Sequence, residues 1–241
     1  MPSTPDAPLS EQDLAAIRGM DTPTIANALE LTGIRPWTEG FTRPEVKCMF
    51  PDMGTTVGYA VTLEIASRVP GRASVPRPDY WDAIVAQPAP RVIVIHDRDY
   101  PDVIGSFWGE VQANIAKGLG CVGTVTDGGV RDLDEARALG FQFHAKEVLV
   151  SHAYVDVESL GGPVNVGGFT VSPGDLIAAD KHGAIQIPLE VARDLPKLKS
   201  QLEEYEAVII NAAQQPVVTP DTLRAAAEEQ SRLRQSQQHA Y

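Results

Sequence analysis

Cysteine and long apolar runs are scarce in this sequence. Only two cysteines occur among 241 residues, Cys48 and Cys121, and each lies among apolar neighbours. This is typical of small buried side chains and not of a disulfide framework. No apolar run approaches the ~20 residues that a membrane-spanning helix needs. The first residues, Met-Pro-Ser-Thr-Pro-Asp, contain neither the basic nor the apolar stretch of a signal peptide. We therefore expect a cytoplasmic protein with no membrane partner.

Positive charge is scarce as well. The formal net charge is -12, and the lysines and arginines form no cluster. Since nucleic-acid-binding proteins normally present a basic face, we expect no nucleic-acid partner. The sequence also lacks HExxH, GxSxG, a pair of CxxC motifs and a Walker glycine loop. The glycines of 118–123 superficially match a dinucleotide-binding fingerprint, but they precede a strand instead of following one, which argues against that interpretation.

The hydrophobic pattern that is present favours an α/β protein. Residues 91–96 contain a continuous apolar run, Val92 to Ile95, as expected of a strand buried on both faces. The middle third of the chain predicts strand, helix, strand, helix, strand, which is the order of a parallel sheet. The predicted strands there are 91–96, 121–126 and 141–144, and the predicted helices are 106–119 and 133–139.

The flanking thirds have other patterns. Ser10 and Asp21 are expected at the starts of the first two helices, and β-branched residues favour a strand over 55–66. A mobile loop over 67–79, with a short helix after it, contains three arginines that are candidates to close over an acidic substrate. After Glu147, Gly-Gly and Pro-Gly turns favour antiparallel strands. Helices are predicted over 189–213 and 220–238.

These patterns divide the chain into three parts. Residues 1–9 are predicted to be a loose segment, 10–190 the main domain, and 191–241 a C-terminal helical extension. The last helices have little to pack against within one small domain. We therefore expect the extension to contribute to a contact between subunits.

One interval of the sequence combines residues that can support chemistry. Glu110 follows Gly109 in one Gly-rich turn, and twenty residues separate it from the Arg131-Asp132 dipeptide that ends a second. A helix and a strand between them would bring the two turns together. Two carboxylates can hold a divalent cation such as Mg²⁺ or Mn²⁺ through oxygen, and an arginine fork can bind an anionic substrate beside it.

A 2-oxo acid suits such a site because its carboxylate and adjacent carbonyl chelate one cation through two oxygens. In this interpretation Asp132 is the metal ligand, and Glu110 contacts the cation through water. Arg131 stabilises the enolate, a contribution of about 3 kcal/mol for a well-placed donor. The first turn of the predicted helix offers free N–H groups to a substrate carboxylate. The predicted catalytic residues are Arg131 and Glu110, and the predicted substrate-binding residues are Gly109, Glu110, Val111, Gln112 and Arg131.

Structural explanations of the same residues stay open at this point. Asp132-Leu-Asp-Glu135 matches a capping box, so Asp132 has an alternative role as a helix cap. The helix dipole alone favours Glu110 in a first helical turn, and Arg131 is an ion-pair partner for either acid. His96 and His144 end predicted strands, and we interpret both as satisfied polar residues at strand termini.

Beyond these patterns, three segments of the sequence resemble one known family. They are Trp108-Gly-Glu-Val with the stretch from Ala116 to Asp132, Val57 to Thr62, and Pro173 to Pro188. Together they lie within roughly residues 20–190. They resemble the RraA-like family, which includes the regulator of ribonuclease activity A. The family also includes the class II pyruvate aldolases of 4-hydroxy-4-methyl-2-oxoglutarate and 4-carboxy-4-hydroxy-2-oxoadipate.

The resemblance implies both a fold and an activity. The implied fold is α/β, a β/β/α sandwich of the swivelling-domain type with mixed sheets and C-terminal helices, assembled as a homotrimer or a dimer of trimers. In the aldolase branch the site is formed by an acidic residue and by an Arg-Asp dipeptide that follows after twenty intervening residues. The matching residues here are Glu110, Arg131 and Asp132. The implied reaction is Mg²⁺- or Mn²⁺-dependent cleavage of a 4-hydroxy-2-oxo acid to pyruvate, with oxaloacetate decarboxylation as a side activity.

Some residues depart from the family pattern. Glu110 stands where aldolases commonly have Asp, Asn27 stands where relatives often have Asp, and Asp180-Lys-His182 replaces a more acidic run. The alternatives are therefore a non-catalytic interaction protein like the ribonuclease regulators, or a lyase or decarboxylase with another substrate. The regulators lack the acid after the arginine, so Asp132 favours an enzyme.

Overall fold

An eight-stranded mixed sheet forms the centre of the computed structural model, which describes residues 8–71 and 75–238. The strands of the described residues are, in chain order, β1 (Lys47–Cys48), β2 (Thr56–Ala66), β3 (Arg91–Asp97), β4 (Ser106–Trp108), β5 (Cys121–Thr126), β6 (Gly129–Val130), β7 (Gln142–Ala145), β8 (Glu147–Val148), β9 (Asp156–Leu160), β10 (Val164–Val166), β11 (Phe169–Val171), β12 (Leu176–Asp180) and β13 (Gly183–Ile187). The helices are α1 (Glu11–Arg18), α2 (Thr22–Thr32), α3 (Arg77–Val85), α4 (Glu110–Gly118), α5 (Leu133–Leu139), α6 (Leu189–Ala192), α7 (Leu195–Ala213) and α8 (Pro220–Gln238).

The parallel core of the sheet agrees with the sequence pattern. Strands β2, β3, β5 and β7 run parallel, and the sheet order is β1-β7-β5-β3-β2-β12-β13. Strands β12 and β9 pair antiparallel with successive halves of the long strand β2. The predicted parallel middle third and most of the predicted antiparallel region after Glu147 are therefore confirmed.

Alternate residues of β2 face opposite sides of the sheet, as strand geometry requires. Val57 and Tyr59 pack in one cluster with α1, α2 and α7, and Leu63 and Ile65 pack in another with α3, α4 and α5. Ala60, on the opposite face, packs with the β10–β11 hairpin. Hairpin, sheet and helices are thus three layers, and the expected β/β/α sandwich is confirmed.

The N-terminal helices are held by caps and by the core. Ser10 and Asp13 form a reciprocal capping box at α1, and the Asp21 side chain accepts a hydrogen bond from the Thr24 N–H at the start of α2. Residues 1–7, most of the predicted loose segment, lie outside the described residues. Leu9 is buried and its N–H donates to the Tyr59 hydroxyl at 2.7 Å, so the chain is anchored from that residue onward.

The C-terminal helices are not equivalent. Leu195, Leu198 and Leu202 of α7 are buried in the cluster that contains α1 and α2. Each such side chain contributes roughly 1.5–3 kcal/mol, so α7 belongs to the main hydrophobic core. Helix α8 packs on α7 and is mostly exposed, and the expected subunit contact of this region stays a prediction. No helix within residues 8–71 and 75–238 combines the length and the apolar character needed to cross a membrane.

A second, small parallel sheet is the feature that the sequence pattern did not predict. Strands β3, β5 and β7 of the central sheet are each followed by one short strand, and these strands, β4, β6 and β8, pair in parallel with β6 in the middle. The helix predicted over 106–119 was wrong at its start, because 106–108 form β4 and the helix begins only at Glu110. The chain therefore reaches α4 from the edge of the small sheet.

Candidate functional site

The three strands of the small sheet end beside one pocket. Gly109 follows β4, Arg131 and Asp132 follow β6, and His152 lies four residues after the end of β8. Because the carboxyl ends of parallel strands meet at one edge of a sheet, these segments converge. The pocket has a volume of about 310 Å³. Its lining residues are Val75, Arg77, Tyr80, Ser106, Phe107, Gly109, Val111, Gln112, Arg131, Asp132, His152, Val155, Asp156 and Val157.

Gly109 is the point of closest approach between the two predicted turns. A Cβ atom at this position would lie 2.5 Å from Oδ2 of Asp132 and 3.2 Å from Nε of Arg131. The first distance is far below van der Waals contact, so no larger residue fits without moving Asp132. Gly109 has φ -164°, an extended conformation open to any residue. Glycine is therefore required here for space and not for backbone conformation.

Asp132 has an unusual backbone conformation and caps an unexpected helix. Its φ and ψ are 53° and 50°, the left-handed region that residues with a Cβ rarely adopt. Its side chain makes no capping hydrogen bond to α5, so the capping-box interpretation was wrong. Oδ2 accepts a hydrogen bond from the Glu110 N–H at 2.9 Å, at the start of α4. Strained residues of this kind concentrate at functional sites, so we interpret Asp132 as a candidate functional residue.

Arg131 lies beside the same carboxylate. Its Nε is 3.7 Å from Oδ2 of Asp132, and both side chains are about one third exposed (36% each). The Arg131 N–H donates to the Trp108 carbonyl at 3.1 Å, which fixes the arginine to the end of β4. The predicted ion pair is thus present, and both charged groups face the pocket. A guanidinium in this position can bind a carboxylate or a developing enolate oxygen.

Glu110 is placed differently from the other predicted site residues. Its side chain is exposed, and it is not among the residues that line the pocket. Its contact with Asp132 runs through its backbone N–H. The structure therefore brings together Gly109, Val111, Gln112, Arg131 and Asp132, whereas the Glu110 carboxylate lies outside this group.

The first turn of α4 provides polar groups that face the pocket. Val111 and Gln112 are the second and third residues of the helix, so their N–H groups have no acceptor within it. The side-chain oxygen of Gln112 is buried and has no hydrogen-bond partner within 8–71 and 75–238. An unpaired buried acceptor costs about 1–3 kcal/mol, which a ligand donor would recover. These groups fit the predicted binding of an anionic, hydrogen-bonding substrate.

The predicted cation site depends on the carboxylate of Asp132, one of two aspartates in the pocket lining. In the part of the chain that the structure describes, no group of three or more His, Cys, Asp or Glu residues could hold a metal ion. Mg²⁺ needs fewer protein ligands, since it commonly binds one or two carboxylates and completes its shell with water and substrate oxygens. The Glu110 N–H binds one of the two carboxylate oxygens of Asp132, namely Oδ2. Asp132 is therefore compatible with such a one-carboxylate site, while Mg²⁺ or Mn²⁺ binding stays a prediction.

The other wall of the pocket comes from α3 and β9. The Val75 N–H donates to the Val157 carbonyl at 2.9 Å, which holds the start of α3 against β9. Arg77 is exposed, and among the described arginines of the predicted loop it is the one found in the pocket lining. Arg68 instead pairs with Asp99, and Arg72 lies outside the described residues. Burial raises the pKa of Tyr80 well above its usual value, so its hydroxyl stays protonated.

The two strand-end histidines do not belong to the pocket. His96 Nδ1 lies 2.7 Å from a carboxylate oxygen of Asp127, and this contact raises the pKa of His96. His144 is buried with Nε2 2.8 Å from the Asp180 carbonyl, and burial lowers its pKa. Both are satisfied polar residues, as the sequence pattern predicted. Cys48 and Cys121 are free thiols.

Comparison with known proteins identifies the family. The model of the RraA-like family, described as Aldolase/RraA, matches residues 22–186. The chain belongs to the RraA-like family. The matched range includes the small sheet, the Gly109 turn and the Arg131-Asp132 dipeptide, so the candidate site lies within the part of the chain that the family model matches.

Individual relatives give the context of this RraA-like protein. A protein of Halalkalibacterium halodurans, named "putative 4-hydroxy-4-methyl-2-oxoglutarate aldolase", is 32% identical over 118 residues, which are 48% of this chain and 55% of that protein. The alignment thus spans only about half of that relative. An uncharacterized protein of Pseudomonas syringae pv. tomato has a similar structure, with a TM-score of 0.69 and 24% identity over 94% of this chain and 99% of the other.

The fold is also shared with a named member of the RraA protein family. Streptomyces coelicolor RraAS2, described as an unusual member of the RNase ES inhibitor RraA protein family, has a TM-score of 0.64 and 23% identity. The comparison covers 84% of this chain and 97% of that one. Likeness at this level concerns the fold alone. The names of these relatives therefore do not decide between an aldolase and an inhibitor, and the chemistry of the pocket has to distinguish between them.

Proposed function

We propose that this protein is a divalent-metal-dependent carbon–carbon lyase that cleaves a 4-hydroxy-2-oxo acid to pyruvate, with oxaloacetate decarboxylation as a side activity. The observation that carries the proposal is the Asp132 carboxylate. It lies in a pocket beside Arg131, on a strained backbone, and makes no bond to the helix that it precedes. A residue that served only as the cap of α5 would not need this conformation.

The residues of the pocket have complementary roles in this proposal. Asp132 would hold Mg²⁺ or Mn²⁺, which when bound would chelate the 2-oxo acid and draw electrons from its carbonyl. The N–H groups of Val111 and Gln112 bind the C1 carboxylate at the start of α4. Arg131 donates to the C2 oxygen and stabilises the negative charge that develops there as the enolate forms. The same enolate arises from oxaloacetate when carbon dioxide leaves.

The proposal includes a homo-oligomer, a trimer or a dimer of trimers. Val148 lies on the edge strand β8 and is 54% exposed, and Val150, two residues after it, is 96% exposed. Exposed apolar side chains next to each other on a sheet edge support a contact with another copy of the chain. Light scattering coupled to gel filtration tests this point, since a monomer at micromolar concentration would contradict it.

The experiment that tests the function is a substrate screen. The protein is incubated with a panel of 4-hydroxy-2-oxo acids and with oxaloacetate, in Mg²⁺ or Mn²⁺, and pyruvate is measured with lactate dehydrogenase and NADH. We expect pyruvate from at least one hydroxy acid and from oxaloacetate. Absence of pyruvate from every compound, by a folded protein with either metal, would remove the lyase proposal and favour the non-catalytic alternative.

A further inference from the structure

The pocket contains one imidazole side chain, that of His152, which has no role in the proposed binding of the metal and of the substrate. His152 lies four residues after β8, at the edge of the small sheet where Arg131 and Asp132 also lie. Its ring is exposed and forms part of the pocket lining. Retro-aldol cleavage needs a base for the C4 hydroxyl, and the carboxylate of Glu110 is not among the lining groups.

The tautomer of His152 follows from one short contact. Nδ1 of the ring lies 2.6 Å from the carbonyl oxygen of Ala153. A carbonyl oxygen only accepts hydrogen bonds, so Nδ1 must carry the hydrogen. In the neutral ring Nε2 then has a free lone pair and is the nitrogen able to take a proton. This is the arrangement of a general base whose second nitrogen is fixed by a backbone acceptor.

The backbone around His152 is held in a conformation that supports this contact. Ala153 has φ 47°, and within the described ranges Asp132 is the other residue besides glycine with a positive φ. Both residues that adopt this unfavourable conformation therefore lie at the same pocket, Asp132 in its lining and Ala153 next to His152. Strain of this kind persists only where surrounding contacts impose it, and it concentrates at functional sites.

Hydrogen bonds on both sides impose the conformation of this turn. The Ser106 N–H donates to the Ser151 carbonyl at 3.0 Å, and the Ala153 N–H donates to the Ser151 hydroxyl at 2.9 Å. The Val155 N–H donates to the His152 carbonyl at 3.0 Å. A Cβ atom at Gly105 would lie 2.7 Å from that carbonyl oxygen, so the residue before β4 also packs closely against the turn. The imidazole is thus presented to the pocket by a fixed backbone.

We propose that His152 is the general base that removes the proton from the C4 hydroxyl of the substrate, a role that rests on the proposed lyase function. Nε2 takes the hydroxyl proton, and the C4–O bond becomes a carbonyl as the C3–C4 bond breaks. The electron pair of that bond forms the pyruvate enolate, whose oxygen Arg131 stabilises. The proton on Nε2 then returns to C3 of the enolate or passes to solvent, so the step is balanced without any redox partner.

The pocket lining contains charged residues of both signs. Those that line the pocket together with His152 are Arg77, Arg131, Asp132 and Asp156. Two cations and two anions cancel, so neither sign dominates before a cation or a substrate binds. A carboxylate substrate and a divalent cation add opposite charges to the same pocket.

The test compares two reactions that share the enolate but differ in the need for a base. Oxaloacetate has no hydroxyl proton to remove before its carbon–carbon bond breaks. We expect His152→Gln to lower kcat for hydroxy acid cleavage by roughly 100- to 10,000-fold, the usual contribution of a positioned base, and to leave oxaloacetate decarboxylation unchanged. Free imidazole should restore part of the cleavage by His152→Ala. The control is His182→Gln, an exposed histidine paired with Asp180 outside the pocket lining, which should retain both activities.

Each outcome decides the question. Loss of cleavage alone, with rescue by imidazole, supports the general base. Equal retention of both activities by His152→Gln overturns it and leaves the lyase proposal standing, whereas loss of both activities by the folded variant overturns the base role in favour of a positioning role. If the wild-type protein itself releases pyruvate from neither substrate, the proposed function fails first, and the variants are not needed to show it.

Discussion

Replacing Gly109 with alanine should separate activity from stability. The added Cβ would lie 2.5 Å from Oδ2 of Asp132 and 3.2 Å from Nε of Arg131, so both groups must move. Loss of the hydrogen bond from the Glu110 N–H to Asp132 costs about 1 kcal/mol, as for other helix caps. The extended φ of -164° imposes no penalty on alanine. Because alanine lowers the conformational entropy of the unfolded chain, it stabilises the folded protein by about 0.4–1 kcal/mol. The net change in the free energy of unfolding should therefore stay within about 1 kcal/mol.

Activity should respond much more strongly. A displacement of about 1 Å in a catalytic group can cost about 100-fold in rate, and we expect at least that loss of pyruvate release from Gly109→Ala. The matched control is Gly118→Ala at the other end of α4, where an added Cβ meets nothing within 4 Å. This control should keep full activity and gain up to about 1 kcal/mol of stability. Denaturant unfolding and the coupled pyruvate assay measure both quantities, and a fully active Gly109→Ala would refute the steric reasoning.

Three further predictions concern charge. Burial and nearby Asp99 and Asp127 raise the pKa of the Asp97 carboxyl from 3.8 to about 6, so its contribution to stability is full below about pH 4 and is lost as the pH rises through 6. As the pH rises from about 4 to about 7.5, the free energy of unfolding of the wild type, measured in urea, should therefore fall by up to about 3 kcal/mol relative to that of Asp97→Asn. A difference between the two proteins that does not change with pH would contradict this. Asp132→Ala should lose the side-chain cap of α4 and the tolerance of aspartate for the left-handed conformation, each of which contributes about 1 kcal/mol to stability. Asp132→Asn should retain most of both contributions. Equal stabilities of the two variants in thermal unfolding would count against this account of the turn. Arg77→Gln should raise KM roughly tenfold or more for substrates with a carboxylate distant from the 2-oxo group, with no change for substrates that lack it.

The central sheet could be predicted from the sequence because its signals are local. The apolar run within 91–96 indicates a strand buried on both faces, and the capping residues Ser10 and Asp21 mark the starts of their helices within one turn. The Arg131-Asp132 turn was recognised by its residue types and its distance from Glu110. These patterns involve residues close together in the sequence, or residue types with few alternative uses.

The small sheet and the second wall of the pocket could not be predicted in this way. Strands β6 and β8 are two residues long and β4 is three, which is too short for an alternating pattern to be seen. The position of Arg77 in the pocket depends on the backbone hydrogen bond between Val75 and Val157, which are far apart in the chain. His152 had no partner pattern because its partner is a backbone carbonyl. The positive φ of Asp132 has no sequence signal either, since the three residues after it imitate a capping box.

The measurement that tests the central claim most directly is the metal dependence of pyruvate release by wild-type protein and by Asp132→Asn. Wild type is assayed with an active hydroxy acid after EDTA treatment and again after addition of Mg²⁺ or Mn²⁺, with folding checked by circular dichroism. We predict that EDTA abolishes pyruvate release, that the cation restores it, and that folded Asp132→Asn is inactive in both conditions. Undiminished turnover of the wild-type protein in EDTA, or metal-dependent turnover by Asp132→Asn at the wild-type rate, would contradict the assignment of Asp132 as the metal ligand of a lyase.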